Sequence, residues 1–112
     1  MEKVEKFITV FATTNNFENA RQIANIIVSE KLAACCTIVP NVFSIYIWKG
    51  EINQDMEYLL IIKTLSDKAN ELEKRILQMH SYEIPEIFSI SMEAASINYL
   101  NWINSSLKEN EE

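Results

Sequence analysis

SIYIWKGEI, residues Ser44–Ile52, is the stretch whose reading decides the fold. Ile45, Ile47 and Ile52 alternate with polar or aromatic neighbours, as in strands with two unlike faces. Gly50 is the single glycine of the 112-residue chain. Glycine adopts positive φ without a steric penalty, so Trp48-Lys49-Gly50-Glu51 reads as a hairpin turn. The first arm extends back to Ala34 through Phe43, Val42, Ile38 and Cys36, and the second runs EINQDMEYLLIIK from Glu51 to Lys63. Pro40 has no amide hydrogen, so the first arm must be bulged there or lie at an edge. Both arms exceed ten residues, against a usual strand of about 5–6. The helices of one small domain cannot cover such a hairpin. A second copy of the chain is the simplest cover.

Working outward, KFITVFAT at Lys6–Thr13 reads as a strand. Thr13–Asn16 follows as a turn, with Asn15 and Glu18 spaced as a capping box. A helix is expected over Phe17–Lys31, with Phe17, Ala20, Ala24, Ile27 and Val28 on its core stripe. A second helix is expected over Asp67–Met79, capped by Ser66 or Asp67. His80–Glu86 is a loop, with Ile84 held extended by Pro85. Ile87–Glu93 reads as a strand, and Ile97–Leu107 as a helix capped by Ser96. The charged tail Lys108–Glu112 reads as frayed. The order β-α-β-β-α-β plus a terminal helix predicts one α+β, ferredoxin-like domain over residues 1–112. Its antiparallel sheet would carry helices on one face. Many unrelated activities share that fold, so it assigns none.

Composition narrows the function classes. Sixteen acids against ten bases give a net charge of −6. This argues against nucleic acid, where Lys and Arg neutralise phosphates, and against anionic membrane surfaces. The apolar runs are too short to span a bilayer. Cys35 and Cys36 are adjacent; neighbours on a strand point to opposite faces, so both are read as free thiols in a reducing compartment. Met1–Lys6 alternates charges where a secretory signal would be apolar. A cytoplasmic protein is the expectation. With one glycine, the chain has no Gly-rich phosphate loop.

Five segments carry a family likeness: EKLAAC at Glu30–Cys35, SIYIWKGEI, KT at Lys63-Thr64, HSYEIPEI at His80–Ile87 and YLNW at Tyr99–Trp102. In this order and spacing the chain resembles the CutA divalent-cation tolerance family, whose loop pattern is H-P-Y-E-x-P-E. The resemblance implies a ferredoxin-like subunit in a tight homotrimer, with long hairpins extending the sheet across subunit boundaries. It also implies an architecture like that of PII signalling trimers, with ligand clefts between subunits. Family members are linked to tolerance of copper and other divalent ions, and in animals to anchoring of acetylcholinesterase. No reaction follows from the motifs, so the chain is expected not to be an enzyme. Ser81 and Ala95 replace a usual Pro and Gly of the pattern. Ala12 and Met79 stand where some bacterial members have a Cys and a second His proposed as copper ligands. Of that trio only His80 is present.

Several side chains are candidates for a site. His80, the only histidine, can ligate copper or zinc through a neutral imidazole, with Glu83 and Glu86 as oxygen donors nearby. Against this, His80 can simply cap the second helix. Glu83 and Glu86 can equally be an acid/base pair or solvated loop residues. Tyr46 and Trp48 share a strand face and, with Tyr82, can line a ligand pocket or a subunit interface. Lys63 can pair with an anionic ligand or with Glu83. Tyr46, Trp48, Lys63, Tyr82, Glu83, Glu86 and Trp102 are therefore the expected lining of an intersubunit cleft that takes a small ligand or a metal ion. No cofactor is required by any of these readings. A small hydrolase of the acylphosphatase type has the same fold, but it would need a phosphate cradle with an Arg in the first loop. Thr13–Asn16 holds neither Arg nor Gly.

Overall fold

The computed structural model describes residues 2–3 and 6–108. The elements are β1 (Glu2–Lys3), β2 (Phe7–Thr14), α1 (Phe17–Ser29), β3 (Cys35–Trp48), β4 (Glu51–Leu65), a 3-10 turn (Ser66–Lys68), α2 (Ala69–Met79), β5 (Ile87–Ser91), β6 (Ala94–Ala95) and α3 (Ile97–Leu107). β3, β4, β2 and β5 form one antiparallel sheet in that order, so β3 and β5 are its outer strands. This is the ferredoxin-like arrangement expected from the sequence. The two-residue strands β1 and β6 make a separate pair, too short to leave a periodic pattern. The expected fraying of the tail falls mostly on 109–112, outside the described residues.

The hairpin turn is built by backbone conformation. Lys49 and Gly50 both have positive φ, 52° and 79°, the requirement of the tight turn that matches strand twist. A Cβ at Gly50 would meet no atom within 4 Å, so conformation alone selects the glycine. The bulge expected at Pro40 is present. Pairing steps from Val39↔Leu59 to Val42↔Glu57, leaving one extra residue on β3. Asn41 takes the positive φ there, 60°, and asparagine tolerates it better than most residues.

The sheet has one covered face and one open face. Ala20, Ile23 and Ile27 of α1 and Leu72 and Ile76 of α2 pack on Val10, Ala12, Leu60 and Ile62. Cys36 packs against this core, and Cys35 points the other way. α3 closes one end through Leu100, Ile103 and Leu107 against Phe7 and Ala34. The rest of the open face carries Phe11 stacked on Phe88 at 5.2 Å, with Leu59 and Ile61 half-buried beside them. Among the described residues, nothing covers the tip of the hairpin on either side. Ile47 and Ile52, paired across the strands, are both 75% exposed.

Helix ends differ from the expected ones by a residue or two. Asn16, not Asn15, caps α1; its side chain accepts from the Asn19 amide at 2.8 Å. α1 ends at Ser29, short of Lys31, because Lys31 turns to φ 59°. Leu32 N–H then bonds to Ile27 O at 2.9 Å and Lys31 N–H to Val28 O at 3.0 Å. That is a Schellman stop with lysine where glycine is usual. Neither Ser66 nor Asp67 caps α2; the 3-10 turn precedes it and no side chain bonds its start. Ser96 caps α3 as expected.

Candidate functional site

The site is built from the open face and the loop that crosses its edge. His80 ends α2 and gives its amide to Ile76 O. Its ring then ties two elements together. The Tyr82 N–H donates to Nδ1 at 3.0 Å, and Nε2 lies 2.7 Å from Thr13 O, at the end of β2. An amide can only donate and a carbonyl can only accept, so the ring is the neutral tautomer with its proton on Nε2. Both nitrogens are engaged.

That loop aims Tyr82 onto β4. The phenol donates to Glu57 Oε2 at 2.6 Å. Glu57 is 5% exposed, the only carboxylate among the buried residues described. Burial, then the hydrogen bond to Glu57 and the charges of Glu57 and Asp55, push the Tyr82 phenol well above its ordinary range. Nearby, the Tyr46 hydroxyl donates to Asp55, and this bond raises the Tyr46 phenol as well. Two phenols and two carboxylates thus gather on one patch of the open face.

The other expected lining residues lie elsewhere. Trp48 sits beside the hairpin turn, with Lys49 Nζ 5.7 Å from its ring centroid. Lys63 lies near the other end of β4 and donates to Thr37 Oγ1 at 3.3 Å. Beside it, Cys35 Sγ is 4.0 Å from the Tyr99 hydroxyl. Trp102 stacks on Tyr99 at 5.8 Å, on α3. Glu83 and Glu86 are exposed. Among the described residues, no three His, Cys, Asp or Glu side chains converge as a metal site. The candidates therefore form two groups in one chain: His80, Tyr82 and Tyr46 at one end, Lys63 and Trp102 at the other.

Glu57 and Asp55 were not singled out from the sequence. Their signal was present but faint: the period of two places both on the face of Tyr46 and Trp48 across the strand pair. An open groove of about 660 Å³ lies elsewhere, at the start of α1. Its lining amides serve the backbone: Asn16 caps α1, Asn19 bonds Met79 O at 2.9 Å and Asn25 bonds Arg21 O at 3.0 Å. It holds none of the candidate residues.

Among the described residues, no helix is long and apolar enough to cross a membrane. Residues 8–106 match the family described as CutA1 divalent ion tolerance protein. A chloroplastic CutA 1 protein from Oryza sativa subsp. japonica is 38% identical over 91% of this chain and 58% of its own length. The chain therefore spans less than two thirds of that relative. A divalent-cation tolerance protein CutA from Thermus thermophilus is 40% identical over 84% of this chain and 91% of its own. The crystal structure of CutA1 from Oryza sativa superposes with a TM-score of 0.89 at 37% identity, covering 96% of this chain and 98% of that one. The resemblance read from the five sequence segments is thereby confirmed over almost the whole domain, and the chain belongs to the CutA1 divalent ion tolerance family.

Proposed function

We propose that the chain works as a homotrimeric binding or scaffold protein associated with tolerance of divalent metal ions such as copper. Ligand clefts would lie between its subunits, and it would carry out no catalytic step of its own. The observation that carries this reading is the uncovered hairpin. Ile47 and Ile52 stand 75% exposed on a strand pair that extends beyond the chain's own helices. Such an apolar surface marks an interaction site. Among the described residues, both outer strands, β3 and β5, leave an unpaired edge, and two unlike edges on one sheet suit a head-to-tail ring of copies. The split of the expected cleft residues into two distant groups fits a cleft completed by a neighbour. The name of the Thermus thermophilus relative supports the divalent-cation context. Free thiols at Cys35 and Cys36 fit a reducing, cytoplasmic setting.

The test is a change that a monomer would tolerate. Ile47→Asp with Ile52→Asp adds charge to a surface that a lone chain leaves in water. The trimer reading expects loss of the assembled mass at micromolar concentration. An assembled mass that survives both changes contradicts it.

Direct metal ligation by His80 with Glu83 is a second reading, supported by the family's name. In this conformation a metal at Nδ1 displaces the Tyr82 amide, and a metal at Nε2 displaces the contact to Thr13 O.

A further inference from the structure

The open face carries a charge imbalance that one chain does not resolve. Asp55 and Glu57 lie on it together, and Glu57 is already 5% exposed in the single chain. Its Oε2 accepts from Tyr82; no basic side chain reaches the pair among the described residues. Covering a carboxylate without a counter-charge is costly.

Among the described strand residues, the same face offers one cation. Along β2, β3, β4 and β5, the strand positions sharing the face of Glu57 include a single Lys or Arg, and it is Lys63. Lys63 is half-buried, and among the described residues the one hydrogen bond of its ammonium is to Thr37 Oγ1. It cannot serve the Glu57 of its own chain. At ~3.4 Å per residue, positions 57 and 63 of one strand are about 20 Å apart. A head-to-tail contact brings unlike parts of one face together, and the two charges then meet between chains.

We propose that, in the assembly inferred above, Lys63 of one copy pairs with Glu57 of the next and neutralises it as the open face closes. The pairing rests on the trimer reading and adds to it the contact that sets which way the copies face. It also joins the two distant groups of cleft residues into one site, with Tyr82 from one chain and Trp102 from the other at its sides.

The experiment is a mutant cycle read by subunit exchange. Isotope-labelled and unlabelled chains are mixed, and native mass spectrometry follows the mixed assemblies. Lys63→Met and Glu57→Gln each leave one charge covered without its partner, and each is expected to speed exchange roughly 100-fold. The double variant, which removes both charges, is expected to return within about tenfold of the parent. Lys63→Gln is a second neutral form with the same expectation, and circular dichroism verifies that each variant is folded. Single variants that exchange like the parent, or effects that simply add in the double variant, overturn the ion pair and leave the trimer standing. Exchange that responds to EDTA and not to Lys63→Met assigns the carboxylates to a divalent ion and also overturns it. A parent chain that gives only single-chain ions removes the trimer itself.

Discussion

Tyr82 donates its phenolic proton to Glu57 Oε2 at 2.6 Å, joining residues that lie on a loop and a strand. The same residue hands its amide proton to His80 Nδ1. One side chain thus covers a carboxylate, and one backbone group orients a histidine. Tyr82→Phe keeps the ring and removes the donor. It is expected to lower stability by about 1–3 kcal/mol, the cost of stranding a buried acceptor. Chemical denaturation with an unchanged slope measures this, and an unaltered midpoint refutes it.

His80 offers a sharper comparison. With both ring nitrogens bonded to backbone, His80→Ala is expected to destabilise the loop by about 1–3 kcal/mol while leaving copper and zinc affinity unchanged. Calorimetric titration of the parent and variant decides. A tenfold or larger loss of affinity makes His80 a ligand.

Cys35 and Cys36 face opposite sides of the sheet, and Cys36 packs against the helix-covered core. Burial first, then the neighbouring Cys35, pushes the Cys36 thiol up to about 12, partly opposed by Lys63. The unfolded chain ionises near the ordinary thiol value of ~8.5. The folded state therefore keeps its proton longer. The contribution of Cys36 to stability is complete below about pH 8.5 and is lost as pH rises toward 12, at on the order of 1 kcal/mol per unit. Cys36→Val should flatten that alkaline slope. An alkaline slope that Cys36→Val leaves unchanged contradicts the assignment.

Lys31 holds φ 59° in the stop of α1, a conformation that costs a residue with a Cβ roughly 1–2 kcal/mol. Lys31→Gly relieves it at some cost in unfolded-chain entropy. The net expectation is a stabilisation of up to about 1 kcal/mol, visible as a raised melting temperature. A lowered one would show that the exposed Lys31 Nζ contact to Lys108 O outweighs the strain.

The fold was legible because its signals are local. Gly50 marked the turn, Pro40 the bulge, and the period of two the long arms. The cap of α1 was misplaced by one residue because Asn15 and Asn16 are chemically alike, and only the extended backbone at Asn16 selects it. The site was legible only in part. Tyr46, Tyr82 and His80 stood out by type and do come near one another. Glu57 did not, because a glutamate in an alternating strand reads as a wet-face residue. Its burial comes from a loop distant in sequence, and no local pattern encodes that. Lys63 and Trp102 also stood out by type, yet one chain does not bring them to Tyr82.

The central claim is that three copies bury the hairpin and the open face together. Light scattering on a size-exclusion column, run over a dilution series down to micromolar protein, tests it most directly. The account predicts a mass three times the 13.0 kDa of the chain, constant across the series. A mass of one chain with the fold intact would contradict it.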